Sequence, residues 1–396
     1  MAINVAVFFG CCSVEHEVSI ISAVQAMHSF DREKYNLIPV YVTKDGVMMT
    51  GEELFDIESY KNLPALLKKL RAVTLVREGK DVVMKTIGMF GKTVRIDVAF
   101  PIVHGTNCED GTIQGLFEFL RLPYVGCDII SSAVGMDKAI FKDVLASAGL
   151  PVLPCVRFYS REFFEDRENM LKKIEAQIGL PAIVKPANLG SSVGITKVET
   201  MEALNEAVNL ACSFADKILV ERAIMGLREI NCSVLGDYDD CIASCCEEPV
   251  AQDAILSFKD KYLSGGGKKS GESQGMQSLS RIIPAEIPEE KSEEIKDLAC
   301  RVIKALGGAG IARIDFMLDT QNGDKVYVNE INTIPGSLAF YLWEKSGISY
   351  KELLTRAVDL AFKRSRKQKS LNFTFESNIL SGVKLGGTKG AKGSKM

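Results

Sequence analysis

The chain has 396 residues, 46% of them hydrophobic and 25% charged, with 48 Lys and Arg against 51 Asp and Glu. This is ordinary globular composition, which excludes a disulfide-stapled miniprotein, a collagenous chain and a wholly disordered one. A net charge of −3 removes global basicity as an argument for nucleic acid, and roughly 150 residues per domain predicts two to three domains.

Residues 4–9 (NVAVFF) form a short apolar run ended by Gly10, and residues 14–30 follow as a helix. Residues 36–42 (NLIPVYV) read as a second strand. Residues 94–103 (VRIDVAFPIV) read as a third, apolar enough to be buried on both faces. Residues 63–73 and 113–120 are helix-like. Strands alternating with helices predict an α/β fold with a doubly wound parallel sheet. Ligands of such sheets sit beyond the strand C-termini, so the loops after Phe9 and Val103 are the places to look. Farther on, residues 180–186, 217–221, 230–235, 310–318 and 325–329 read as strands without regular intervening helices. They predict an α+β region with antiparallel sheet. Inside it, residues 264–275 (SGGGKKSGESQG) form a long Gly/Ser/Lys loop, of the kind that is a functional lid or disordered. From Lys363 onward nine basic residues face one acid, a balance of +8, so the rest of the chain carries −11. The low-complexity tail reads as a solvated, disordered C-terminus, with contact to an anionic partner as the other reading.

Eleven cysteines lack CxxC spacing and only three histidines exist, His16, His28 and His104. This argues against a zinc site and for reduced, mostly buried thiols in a cytoplasmic protein. The first apolar run is too short for a signal peptide. No apolar stretch approaches the roughly 20 residues of a membrane span.

Four stretches carry chemistry. Gly190-Ser191-Ser192-Val193-Gly194 follows the strand holding Lys185. Small residues let backbone N–H groups cradle phosphate oxygens, and a lysine adds a point charge. It is not a Walker P-loop, and a plain turn also fits it. Arg313-Ile314-Asp315 and Asn329-Glu330-Ile331-Asn332 lie on neighbouring strand candidates. Residues two apart share a face, so Asp315, Glu330 and Asn332 make an oxygen-rich hard-cation site suited to Mg²⁺ on nucleotide phosphates. Paired charges facing solvent are the alternative, but these polar residues sit in otherwise apolar strands. Glu15 opens the first helix, either as a charge suited to the helix dipole or as a ligand contact. His104 sits in a Gly-rich loop at the predicted ligand edge, equally compatible with a structural role.

These pieces, in this order, resemble the D-alanine–D-alanine ligase family of ATP-grasp enzymes. The resemblance rests on GCCSVEHEVSIISA (10–23), HGTNCEDGTIQG (104–115), MDK (136–138) and IVKPANLGSSVG (183–194). It continues through ERA and GLREINCSVLG from Glu221, KDKY (259–262), RID (313–315) and NEINTIPG (329–336). It implies an α/β N-terminal domain (1–127) followed by a two-lobed ATP-grasp fold, with a small lobe (128–219), a large lobe (220–363) and a flexible loop (258–283). A basic tail (364–396) lies outside.

It also implies an ATP-dependent reaction in which a D-alanine carboxylate is phosphorylated and a second D-alanine attacks the acyl phosphate, for peptidoglycan precursors. Asp315, Glu330 and Asn332 resemble ligands of two Mg²⁺ or Mn²⁺ ions. Lys138 and Lys185 resemble the nucleotide-phosphate contacts, joined by the Ser191-Ser192 turn. Glu221 resembles the residue facing adenine, and Glu229 the ribose carboxylate. Lys261 resembles the phosphate-reaching lysine of the loop. Arg313 and the Gly336 N–H resemble the oxyanion stabilisers. Glu15 resembles the residue holding the first substrate's ammonium, with His104 near its carboxylate. Ser191 and Tyr262 resemble, with Glu15, a hydrogen-bonded triad that latches the loop. Tyr262 favours an amine over a hydroxy-acid acceptor. The family further implies a homodimer, with small-molecule substrates and neither nucleic acid nor membrane as partner.

The chain departs from the family pattern at Cys11-Cys12, at Cys108 in place of glycine, and in a hinge between Glu221 and Glu229 that is one residue longer. The 264–275 insertion is also longer than is common. After Gly336 the segment SLAFYLWEK is shorter than the usual one, leaving Ser337 and Leu338 to contact the second substrate. Three readings follow: the dipeptide ligase, a related ligase with another acceptor such as D-serine, and a non-catalytic nucleotide-binding relative. The last predicts missing metal ligands, whereas Asp315, Glu330 and Asn332 are all present.

Overall fold

The computed structural model describes residues 2–88, 91–190, 194–250, 281–374 and 378, arranged around three sheets. The first contains β1 (Ile3–Gly10), β2 (Tyr35–Val42), β3 (Met48–Thr50), β4 (Arg71–Glu78), β5 (Asp81–Thr86), β6 (Thr93–Ile96) and β7 (Val98–Ile102), in spatial order β6-β5-β4-β3-β2-β1-β7. β2, β1 and β7 are parallel, and the remaining neighbours are antiparallel. The α/β expectation holds, with the parallel part limited to three strands.

Two local expectations change. Of residues 63–73 only α2 (Leu63–Leu67), which follows α1 (His16–Ser29), is helical, and Arg71 opens a strand. Val73 and Leu75 of that strand point inward, the period-2 signature of a half-buried strand. The stretch 94–103 breaks at Asp97, which accepts a hydrogen bond from the Asn4 N–H at 2.9 Å. β6 then pairs with β5, and β7 with β1.

After α3 (Thr112–Leu120), α4 (Ile129–Met136) and α5 (Lys138–Ser147) comes a four-stranded antiparallel sheet. It contains β8 (Cys155–Tyr159), β9 (Ala182–Pro186), β10 (Thr196–Val198) and β11 (Lys217–Arg222), ordered β10-β9-β11-β8. α6 (Ser160–Glu165), α7 (Arg167–Gln177) and α8 (Met201–Cys212) cover one face. Phe158, Phe163, Ile174, Leu204 and Val208 fill the layer between.

The third sheet is also antiparallel: β12 (Leu227–Asp237), β13 (Cys241–Pro249), β14 (Arg281–Ile282), β15 (Ala309–Asp319) and β16 (Lys325–Asn332), in the order β14-β13-β12-β15-β16. Its apolar face carries Ile230, Cys232, Val234, Ile314 and Phe316. These pack on α9 (Glu289–Leu306) and on Phe141 and Leu145 of α5. The opposite face is polar and forms the floor of the site. On that same face, toward the Leu235 end of β12, come α10 (Phe340–Lys345), whose Trp343 Nε1 donates to Ser233 Oγ, and α11 (Tyr350–Lys369). Leu353, Leu354, Ala357 and Val358 of α11 enter the same core as β1 and β7. Arg364 fixes α11 there by donating to the Tyr124 and Gly126 carbonyls.

All 11 cysteines are free thiols, and only Cys12 is exposed. Among the described residues no helix is long and apolar enough to cross a membrane.

Candidate active site

The loops that leave β1 and β7 lie side by side, because those strands are neighbours. Gly10 ends β1 at φ 93°, and a Cβ there would sit 2.4 Å from the Val42 carbonyl oxygen, so the turn requires glycine. Cys11 follows at φ 69°, a left-handed conformation that side chains disfavour. His16 Nδ1 secures it by donating to the Cys11 carbonyl at 2.6 Å. Ser13 Oγ then donates to the His104 carbonyl at 2.6 Å, joining the two loops. The Cys108 thiol donates to the same carbonyl at 3.0 Å. Glu15 is buried between them, its Oε2 close to Gly105 and Gly190.

His104 is buried and ties three segments together. Its Nδ1 lies 2.8 Å from the Ile334 carbonyl, so Nδ1 carries the proton and donates. Its Nε2 therefore accepts from Ser22 Oγ, 3.1 Å away. Ser22 Oγ in turn accepts from the Ser337 N–H at 2.9 Å. Burial lowers the imidazole pKa and keeps the ring neutral. Glu109, which sequence reasoning passed over, makes a second tie. Its carboxylate accepts from the Ile334 N–H at 2.8 Å, Thr333 Oγ1 at 3.2 Å and the Gly105 N–H at 3.1 Å. Burial raises its pKa to about 7 despite these donors, and the Glu15 charge adds to the rise.

The floor is the polar face of the third sheet. Arg313 pairs with Asn332 across β15 and β16, and Asp315 with Glu330. On β12 Asn231 stands beside Asp315, with Glu247 next to it on β13. Directly opposed residues share a face, so the expected four-residue constellation exists and is extended toward β13. Arg313 grips Asp315 with two bonds, Nε to Oδ1 at 2.7 Å and Nη2 to Oδ2 at 2.8 Å. Asn332 Nδ2 adds a third at 3.1 Å.

Two lysines approach from α5 and β9. Lys138, the first residue of α5, donates to the Leu189 carbonyl at 2.8 Å and pairs with Glu330 Oε2 at 3.2 Å. Asp137 caps that helix by accepting from the Ala139 and Ile140 N–H groups. Lys185 is ion-paired with Glu221 and lies 3.3 Å from Asn329 Oδ1. Glu221 also pairs with Lys142, another residue with no sequence signal, at 2.8 Å. Burial opposes charge on Glu221, yet the Lys185 and Lys142 ammoniums outweigh it and hold the carboxyl down at about 2. Leu153, Met317 and Tyr327 form a small apolar cluster with Ile224 and Leu227 at the hinge side.

At the far side Glu247 accepts from Asn231 Nδ2 at 3.1 Å, the Tyr341 hydroxyl at 3.0 Å and Arg281 Nη1 at 3.0 Å. Ser337 donates its hydroxyl to Gln25 Oε1 at 2.7 Å, and Leu338 packs into the core.

One cavity of about 110 Å³ gathers much of this. Of the expected residues, Glu15, His104, Lys138, Glu229, Arg313, Asp315, Glu330, Asn332 and Gly336 line it. Lys185 and Glu221 lie behind it through Asn329. Glu109, Asn231, Glu247 and Arg281 line it without having been expected. Ser191, Ser192, Lys261 and Tyr262 lie outside the described residues, as does most of the 258–283 loop.

Comparison with known proteins agrees over nearly the whole chain. Residues 4–127 match the family model described as the D-ala D-ala ligase N-terminus, and residues 144–359 match the C-terminus. The D-alanine–D-alanine ligase of Thermosipho melanesiensis is 39% identical over 384 residues, covering 97% of this chain and 99% of its own. Among solved structures, the D-alanine-D-alanine ligase from Coxiella burnetii aligns with a TM-score of 0.77 at 29% identity, over 93% of this chain and 96% of its own. The VanG D-Ala:D-Ser ligase from Enterococcus faecalis aligns at 0.75 and 29% identity, over 91% and 100%.

Proposed function

This chain belongs to the D-alanine–D-alanine ligase family, and from that premise we propose how its residues carry the reaction. It is an ATP-dependent ligase that joins two D-alanine molecules for peptidoglycan precursor synthesis. The observation that carries the residue assignment is the shared face of β15 and β16, where Arg313, Asp315, Glu330 and Asn332 stand in one cavity with Glu15.

Glu15 holds the ammonium group of the first D-alanine, turning its carboxylate toward Arg313. A carboxylate oxygen attacks the γ-phosphorus of ATP, and the bond to ADP breaks. Lys138 and Lys185 hold the phosphate oxygens during this step. The amine of the second D-alanine then attacks the acyl carbon, and Arg313 with the Gly336 N–H stabilises the oxyanion. The C–O bond to phosphate breaks and the amine gives up its proton. Ser191, Tyr262 and Glu15 form the group assigned to that proton and to loop closure, with Lys261 on the phosphate. The apolar cluster of Leu153, Met317 and Tyr327 suits the adenine, with Glu229 on the ribose.

Asp315, Glu330 and Asn332 would hold two Mg²⁺ or Mn²⁺ ions. They offer hard oxygen donors from adjacent strands, while no cluster of three or more His, Cys, Asp or Glu is found among the described residues. A site that leaves several positions to phosphate and water is what Mg²⁺ prefers. When bound, the metal neutralises phosphate charge. We further read residues 1–127, 128–219 and 220–369 as three domains in a cytoplasmic homodimer; the basic tail expected from residue 364 starts only after Lys369, because α11 runs to that residue and Arg364 is bonded to the Tyr124 and Gly126 carbonyls.

The test is phosphate release from ATP by purified protein with Mg²⁺, with and without D-alanine. Release that ignores D-alanine would sink the ligase reading. A D-serine acceptor is the second reading, favoured by the alignment with the D-Ala:D-Ser ligase. Mass analysis of products with D-alanine and D-serine in competition separates the two.

A further inference from the structure

We propose that Arg281 binds the α-carboxylate of the acceptor amino acid, with Glu247 and Tyr341 as the residues that position it. The proposal rests on the ligase reading above.

Arg281 opens β14, the outermost strand beyond β13. Its side chain is only 8% exposed and lines the cavity with Arg313 and Gly336. Nη1 is fixed on Glu247 Oε2 at 3.0 Å, and the guanidinium lies 4.3 Å over the Tyr341 ring. Nε is buried and has no hydrogen-bond partner among the described residues. A buried guanidinium N–H without an acceptor is costly and rare in folded proteins. Glu247 meets this guanidinium only through Nη1, so it does not supply that acceptor. The guanidinium is therefore held rigidly by one edge and by its stacked face, with Nε left over. A planar fork presented this way suits a carboxylate.

Position selects which carboxylate. The Lys138–Glu330 pair sits at the β16 edge and Arg281 at the β14 edge of the same sheet. Four strand spacings separate these edges, roughly 19 Å across the sheet. Phosphate handling thus belongs to one end, and Arg313 stands between the two. An acceptor whose amine meets the acyl carbon near Arg313 and Gly336 would extend its carboxylate toward β14. The residues expected for that contact are engaged elsewhere: Ser337 Oγ donates to Gln25, and Leu338 is in the core. The short SLAFYLWEK segment instead contributes Tyr341, which braces Arg281.

The test uses the full-length protein with ATP, Mg²⁺ and D-alanine, offering D-alaninamide as a competing acceptor without a carboxylate. Products are separated by mass, and the two D-alanine KM values come from the rate curve. Wild-type protein should strongly prefer D-alanine as acceptor. In Arg281→Ala the acceptor KM should rise about 30-fold or more and the preference over D-alaninamide should collapse, with the first-site KM within about twofold. Arg281→Lys keeps the charge beside Glu247 and lacks the fork. It should fold and show an acceptor KM raised about 10-fold at near-normal kcat. If both variants keep acceptor KM and preference within twofold of wild type, the proposal is wrong while the ligase reading stands. Wild-type protein that joins no two D-amino acids overturns the ligase reading and this inference with it.

Discussion

Asp315 and Glu330 face each other across β15 and β16, and the pairing exists because Asn329 is an extra residue in β16. Before that bulge Phe316 pairs with Val328 and Leu318 with Val326, so even-numbered residues of β16 face the core. Strict alternation would send Glu330 and Asn332 into the same apolar layer. One extra residue reverses the phase, so Ile331 joins the core and the two polar residues turn to the cavity. Asn329 itself meets Lys185 at 3.3 Å.

Glu330→Gln tests the metal assignment. It removes one negative oxygen beside Lys138 at a side chain that is 25% exposed, so the fold should persist. Turnover should fall by about 100-fold or more, the usual scale for losing a charge-stabilising group. Phosphate release and a thermal melt on the same sample check both halves, and near-normal turnover would show the assignment to be wrong.

Glu221→Gln should destabilise the protein by about 3–5 kcal/mol at pH 7, because Lys185 and Lys142 would stay buried without their counter-charge. The folded pKa of Glu221 is about 2, below its ordinary 4.5. Its contribution is therefore fully present above pH 4.5 and lost as pH falls toward 2. Urea unfolding of wild type and variant should give a gap that narrows below pH 4.5. A constant gap contradicts the ion-pair account.

Glu109 should act with the opposite sign. Burial raises its folded pKa to about 7 from 4.5. Its share of stability is full below pH 4.5 and is lost as pH rises through about 7. Wild type should therefore lose stability relative to Glu109→Gln between pH 5 and 8. The lost Gly105 bond shifts that difference by a constant and leaves the slope. Parallel melting curves across this range would refute the assignment.

His104→Ala should weaken the joint between α1 and the 334–337 turn. It leaves the Ile334 carbonyl without its His104 donor and the Ser22 O–H without its acceptor, at about 1–3 kcal/mol for each buried group left unpaired. Hydrogen exchange should show faster opening at the Ser337 N–H, which bonds to Ser22. Unchanged protection there would mean the ring is not the tie.

Much of the architecture near the cavity is local and therefore legible. The apolar run ending at Gly10, the His104 loop and the RID and NEIN patterns each state strand, turn and polar face within about ten residues. The family resemblance adds the roles. The antiparallel extension β3–β6 is less legible. RAVTLVRE follows a helical segment with no turn signal strong enough to end it, and VRIDVAFPIV reads as one strand until Asp97 meets Asn4.

The sequence by itself determined where the strands, turns and polar faces beside the cavity lie, because period, turn type and residue class are properties of short segments. The tertiary structure decided whom each charge meets. Glu221 sits between Lys142 and Lys185, Glu109 beneath Ile334, and Arg281 on Glu247 and Tyr341. Those partners lie far apart in the chain, and only the packing of the sheets and helices brings them within a few ångströms. At that distance burial and charge fix whether a group is ionised, held or left with a donor to offer.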